Sequence, residues 1–298
     1  MTKLSLIIPI GPNRKLYALD SIKKQNEKIN TIIEEGSNPS ENRNNGIKKS
    51  KTKLIGFINA HSILPEKWAS EVIKFFGEHP NIDIVGGPQL TSKNDPIFER
   101  ASGYALSSVF GAAEASTRYK IKELNLNANE KHLTSANLIC KRKVAEKIKF
   151  DESLWPGEDP RFLSDAKNYG FKIAYSPDIV VYHKRRGTFN GLIKQIFNYG
   201  LTRPKKEGLK ETIKKPIFLV PSLFLLYIIF LPILIMIHFM FVIPLILYWI
   251  LNFSFSLYEG IKNKEIVSVF LLPILFFVIH ISYGLGFLYG TLNNRFKL

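Results

Sequence analysis

The chain has 298 residues, with 41 Lys and Arg against 25 Asp and Glu and a formal net charge of +16. That excess points to a polyanionic partner: nucleic acid, anionic lipid or a phosphorylated substrate. Cys140 is the single cysteine, so an intrachain disulfide is excluded and a reducing compartment fits.

The opening "MTKLSLIIPIGPNRK" lacks the long apolar core and small-residue cleavage site of a signal peptide, and its short apolar run reads as a strand. "KLYALDSIKKQ" has helical spacing at Leu16, Leu19 and Ile22. "INTIIEEGS" is a second strand ending in Glu34 and Glu35 before a Gly-Ser turn. "PSENRNNGIKKS" begins a helix with Ser40 as the expected N-cap. "TKLIGFINA" is a strand, "PEKWASEVIKFFGEHP" a helix closed by Gly and Pro, and "NIDIVGGPQL" returns to the sheet. "LTSANLICKRKVAEKI" reads as a strand followed by a helix. After it come an acidic loop, "PGED", a helix over 161–169 and a strand ending at His183. Such alternation predicts an α/β domain, mostly parallel in its sheet, with helices on both faces. Ligands of such sheets bind beyond the C-terminal strand ends, here Pro9, Glu34 and Glu35, and Asn59-Ala60-His61.

From Pro216 to Tyr258 no Lys, Arg, Asp or Glu occurs. As one helix this run would reach roughly 65 Å, about twice the ~30 Å bilayer core, so two spans are expected with a turn near 236–240. A third apolar run follows the polar link "EGIKNKE" and extends to about residue 292. The expected organisation is a cytoplasmic domain over 1–183, a basic amphipathic membrane-surface segment over 184–215 and about three transmembrane helices over 216–292. Ten Lys or Arg against two acids between Lys184 and Lys215 place the N-terminal domain in the cytoplasm, and Lys262 and Lys264 agree. Three crossings then put Arg295 and Lys297 outside, against the same charge rule.

Several segments together carry a resemblance: "LIIPI", "IIEEGS", "NRNNGIKKSKTKLIGFINAHS", "PGEDPRFLSDAKNYGFKI", "VVYHKRRGTF" and "KQIFNYGLTR". In this order and spacing the chain resembles the family-2 glycosyltransferases of the GT-A fold, in the membrane-anchored branch that builds glycolipids and surface polysaccharides. The resemblance implies a nucleotide-diphosphate sugar donor, a lipid-linked or growing saccharide acceptor, and membrane lipids as partners. It assigns Asp159 as the catalytic base, with Glu158 orienting it or the acceptor. Pro9, Glu34, Glu35, Arg43, Asn59, His61 and Arg186 are implied on the nucleotide sugar, and Gln195, Tyr199 and Arg203 on the acceptor or diphosphate. His61 and His183 are the implied metal ligands, for Mn²⁺ or Mg²⁺. Two departures stand out: Asn59 and His61 occupy the positions of the usual acid pair, and the second strand passes almost directly into the "SENRNNG" helix.

The residues also allow plainer readings. Glu158 and Asp159 are acids where a helix N-terminus favours them. His61 is equally able to donate to a diphosphate with no tight metal site. Gln195, Tyr199 and Arg203 share one face of a helix whose Phe189, Leu192, Ile193 and Phe197 form an apolar stripe, as in a membrane-surface helix. The competing functions are a catalytically inactive membrane scaffold and a polyprenyl-phosphate glycosyltransferase. Nucleic-acid binding is set aside because no basic-aromatic module is present.

Overall fold

The structure is a computed structural model that describes residues 3–154, 156–207 and 212–295; residues 208–211 of the expected basic segment, and Lys297, lie outside the described residues. The chain divides into two compact units, Met1–Ser92 with Thr117–Lys184, and Lys93–Ser116 with Arg185–Leu298.

In the first unit the apolar run at the start forms β1 (Leu4–Ile10), flanked in parallel by β2 (Ile29–Glu35) and β3 (Leu54–Ile58). Leu4, Leu6, Ile7 and Ile8 are all buried, as expected of a strand covered on both faces. The helices are α1 (Ala18–Lys23), α2 (Pro39–Lys49) and α3 (Trp68–Glu78). A two-residue strand β4 (Ser62–Ile63) precedes α3, and β5 (Ile84–Gly86) and β6 (Gln89–Leu90) follow it. The main sheet has the order β2-β1-β3-β7-β5-β8, where β7 is Asn137–Lys141 and β8 is Ile173–Tyr175; β7 alone runs antiparallel. A second, small sheet has the order β4-β9-β6, with β9 at Val181–His183.

One apolar cluster packs Trp68, Val72 and Phe75 of α3 and Ile22 of α1 against the sheet. The other collects Ile47 of α2, Val144 and Phe150, and Phe162, Leu163 and Ala166. A helix therefore covers each face, as the alternation predicted. Gly46 makes this possible for α2, because a Cβ there would meet Ile7 Cγ2 of β1 at 2.5 Å.

Two local expectations are corrected. The N-cap of α2 is Asn38, not Ser40: its Oδ1 accepts from Ser40 N at 3.0 Å, and Pro39 takes the first helical position, where its missing N–H costs nothing. The helix expected over 161–169 starts earlier, as α7 (Glu158–Asn168), because Gly157 adopts φ +126° and turns the chain into it. Only residues 36–38 separate β2 from α2, as the sequence indicated.

The second unit is helical. It contains α4 (Ile97–Ser107) and α5 (Val109–Ala112), which received no element in the sequence reading, although the stretch they occupy was counted with the N-terminal domain. α6 (Arg142–Lys147) belongs to the first unit, and α8 (Phe189–Glu207) opens the C-terminal part of the second. There follow α9 (Val220–Ile237), α10 (Ile243–Lys262) and α11 (Ile266–Arg295), and the three spans Val220–Ile237, Phe239–Lys262 and Ile266–Asn293 are long and apolar enough to cross a membrane. The turn after α9 falls at residues 238–242, where it was expected.

Candidate active site

Parallel pairing sets the ends of β1, β2 and β3 side by side: Ile10 pairs with Glu35, and Ile7 with Phe57, two residues before Asn59. Beyond β3 the chain turns at once, with Ser62 N donating to Asn59 O at 3.0 Å. It then enters β4, whose Ser62 pairs with His183 in the antiparallel ladder to β9. That ladder brings together residues that are 124 positions apart in sequence: Asn59 Nδ2 lies 3.2 Å from His183 Nε2. The rings of His61 and His183 meet edge to face with centroids 4.4 Å apart. The strand end is further fixed from α1, since Tyr17 N and Ala18 N both donate to Ala60 O, at 2.8 and 3.0 Å.

The expected pair of imidazoles is thus assembled, but as nitrogen donors beside an amide. Among the described residues no group of three or more His, Cys, Asp or Glu could hold a metal ion. A hard divalent cation prefers several carboxylate oxygens, so these side chains do not build a metal cage by themselves.

A second cluster joins α2 to the start of α7. Arg43 Nη1 donates to Glu158 Oε1 at 2.9 Å, and both side chains are buried. The second carboxylate oxygen of Glu158 accepts from Gly157 N at 3.0 Å. The Arg43 guanidinium also lies over the Phe150 ring, 5.2 Å from its centroid, and Phe150 in turn packs against Phe57 of β3 at 5.1 Å. Burial, reinforced by the neighbouring charge of Asp159, pushes the Glu158 carboxyl up to about 7 against the pull of Arg43. Asp159 is half-buried in the first turn of α7, and its Oδ1 is buried with no hydrogen bond among the described residues.

The remaining expected residues are placed as follows. Pro9 is buried in β1. Glu34 is buried and paired with Lys49 of α2 at 2.8 Å, whereas Glu35 is exposed. Arg186, Gln195, Tyr199 and Arg203 belong to the second unit. There Arg186 is exposed, Gln195 Nε2 donates to Tyr199 Oη at 3.0 Å, and Arg203 stacks on Phe218 at 3.5 Å.

Two residues without an assigned role brace the chain around the site, Asn44 the approach to the acidic loop and Asn42 the turn from β2 into α2. Asn44 Nδ2 donates to Phe150 O and to Glu152 Oε1, at 2.9 and 2.8 Å, and its Oδ1 accepts from Phe150 N. Asn42 Nδ2 reaches Gly36 O at 3.1 Å. The available signal was a run of Asn in mid-helix, where that residue is unfavourable unless its side chain is bonded elsewhere.

Residues 16–149 match the family described as glycosyl transferase family 2. Over 166 residues, 53% of the chain, the sequence is 28% identical to the minor teichoic acid biosynthesis protein GgaB of Bacillus subtilis (strain 168). The match occupies 15% of that relative, so the chain spans a small part of its length. Similar solved structures include S. aureus TarS 1–349 with UDP-GlcNAc, at 14% identity and TM-score 0.47, covering 67% of each chain. Another is the mannosyltransferase PcManGT of Pyrobaculum calidifontis with GDP-Man and Mn²⁺, at 13% identity and TM-score 0.48, covering 69% of this chain and 65% of that one. The strand order and the two-sided helical cover agree with that match: residues 16–149 carry a glycosyl transferase family 2 match within a GT-A-like α/β domain, and three apolar helices able to span a membrane follow it.

Proposed function

We propose that the first unit transfers a sugar, with inversion, from a nucleotide-diphosphate donor to a lipid-linked or growing saccharide acceptor. The acceptor oxygen attacks the anomeric carbon as the bond from that carbon to the diphosphate oxygen breaks. The electron pair of that bond leaves with the diphosphate, and the acceptor's proton passes to Asp159. The observation that carries this reading is the Asp159 carboxylate, whose buried Oδ1 has no hydrogen bond among the described residues. It sits beside Glu158, a residue locked by Arg43. A positioned base of this kind is worth about 10²–10⁴-fold. Glu158 acts as a positioning residue.

His61 and Asn59 stand at the strand end where the leaving diphosphate is expected to lie. With no third His, Cys, Asp or Glu ligand among the described residues, they fit hydrogen bonding to the diphosphate, or to a cation delivered already bound to it. The net charge of +16 and the teichoic acid relative both support an anionic acceptor polymer made at the membrane. The basic excess over 184–215 supports a cytoplasmic face for the first unit, with the apolar helices as its anchor.

Asn59 in place of an acid favours one other reading, an inactive scaffold. Both are tested on the purified full chain with a panel of nucleotide sugars, with and without Mn²⁺. Donor turnover, lowered at least about 10²-fold by Asp159→Asn with donor binding kept, is the expected result. Turnover of no donor supports the scaffold, and unchanged turnover in Asp159→Asn removes that residue as the base.

A further inference from the structure

The second unit contains contacts that three successive membrane crossings do not accommodate. Residues 93–116 leave the first unit at Ser92 and return to it at Thr117, so both ends of this segment lie on the membrane face that bears that unit. Its longest helix, α4, has 11 residues, about 16 Å, too short to cross a bilayer. This segment grips the first half of α11. Arg100 Nε pairs with Glu265 Oε2 at 2.7 Å, just before the helix begins. Phe110 packs its ring on Phe276, centroids 5.1 Å apart, and His280 Nε2 lies 2.8 Å from Phe110 O.

The second half of α11 is held by α8. A Cβ on Gly200 of α8 would strike Tyr283 O of α11, and Cβ atoms on Gly286 and Gly290 of α11 would strike Phe197 O and Leu201 O of α8. The two backbones therefore touch along 283–290, as small residues permit in membrane helix pairs. α8 is not among the helices apolar enough to cross. Lys194 and Lys205 are exposed on it.

From Glu265 to Gly290 the helical path is about 37 Å, longer than a ~30 Å bilayer core. If α11 crossed, one of its two partners would have to reach the far face, and neither is built to do so. The charges agree independently. The basic residues of 184–215, Lys262 and Lys264 before α11, and Arg295 and Lys297 at its end all fall on one face if α11 does not cross.

We propose that α11 lies lengthwise in the leaflet adjoining the first unit, with both of its ends on that face. Its exposed residues Ile266, Phe270, Ile274, Leu285, Tyr289 and Leu292 form the surface that contacts lipid chains. The partner of this surface is the hydrocarbon of a single leaflet, and of the three apolar helices only α9 and α10 cross the membrane. This inference does not depend on the catalytic reading.

The test is cysteine labelling of the full chain in sealed membrane vesicles of known orientation. Cys140 is fully buried and is the only native cysteine, so single introduced thiols report cleanly. Lys3→Cys marks the face of the first unit, Asn263→Cys the start of α11 and Asn293→Cys its end; all three are labelled by a membrane-impermeant maleimide from the same side. Labelling of Asn293→Cys only from the side opposite Lys3→Cys overturns the proposal. An epitope appended after Leu298 gives the same readout without altering the helix: digestion from the Lys3 side is expected, and digestion only from the other side refutes α11 as a non-crossing helix.

Discussion

The two units differ in what they leave exposed. In the first, Leu6, Ile8 and Phe57 are 0% exposed and charged groups stay outside, save for ion pairs such as Arg43 with Glu158. In the second, Met236 is 87% and Phe270 75% exposed, whereas Asn252 and Ser256 are 0% exposed. Asn252 donates to Pro273 O at 3.1 Å, and Ser256 Oγ to Asn252 O at 2.8 Å. The contrast follows from the solvent. In water, apolar burial drives folding at roughly 25 cal/mol per Å². Between lipid chains that drive is absent, and helices associate through small residues, close backbones and polar bonds. One chain therefore uses two packing codes, each placing its sensitive residues where the other would tolerate change.

The largest effect is expected where the first unit departs from its own code. Removing one partner of a buried ion pair strands the other, at a cost of about 3–5 kcal/mol. Arg43→Ala is therefore expected to destabilise the first unit by that order and to reduce turnover through a displaced acidic loop. Arg43→Met with Glu158→Gln restores much of the stability and little of the turnover. Denaturant titration and donor turnover measured on both variants check this. A single substitution costing under about 1 kcal/mol would show that the pair contributes little.

At the strand end the expected loss is kinetic. On the proposed mechanism His61→Ala removes a contact to the leaving diphosphate, on the order of 2.7–4 kcal/mol if it acts like an oxyanion contact, which corresponds to about 10²–10³-fold in turnover. Asn59→Asp is expected to be tolerated and to improve use of Mg²⁺, a hard cation that favours carboxylate oxygen. The fold should be untouched, because neither residue belongs to the apolar clusters. If steady-state rates of both variants match the wild type, this strand end does not hold the donor.

In the second unit the vulnerable residues include the glycines at which α8 and α11 touch backbone to backbone. Gly286→Ala places a methyl against Phe197 O, and overpacking of this kind typically costs about 1–3 kcal/mol. Looser association of α8 with α11 is expected, read as faster hydrogen exchange in α8. Gly77→Ala in α3 is the control, since a Cβ there meets nothing within 4 Å. Equal responses to the two substitutions would erase the proposed difference between the packing codes.

Much of the first unit was legible because its signals are local. The continuous apolar runs of β1 and β3, the Gly-Pro stop after α3 and the strand ending at His183 are short-range patterns. The turn after α9 was legible because a run of that length cannot stay straight in a bilayer. Arg43, expected on the donor, is bound to Glu158, a partner 115 positions away that no periodicity reports. The grouping of 93–116 with the apolar helices was invisible for a related reason: Arg100, Phe110 and Gly111 look ordinary until Glu265, Phe276 and His280 are seen beside them. Long-range polar pairs and close glycine contacts are properties of the partner as much as of the residue.

The last expected effect is also the most specific to one unit. Glu158 has its carboxyl raised from an ordinary 4.5 to about 7, first by burial and then by the charge of Asp159, with Arg43 opposing. A raised acid binds its proton more tightly in the folded chain than in the unfolded one, so ν_U is smaller than ν_N and stability falls as pH rises. The fall begins near pH 4.5, continues to about 7 and then levels off, since both states are ionised above that. Glu158→Gln cannot titrate and should lack this slope. The checking measurement is the difference in unfolding midpoint between wild type and Glu158→Gln, taken at pH 5 and at pH 8. The wild type should lose ground to the variant at the higher pH. A difference that stays constant between the two pH values would mean that Glu158 titrates alike in the folded and unfolded chains, and that its burial beside Arg43 and Asp159 leaves its charge unperturbed.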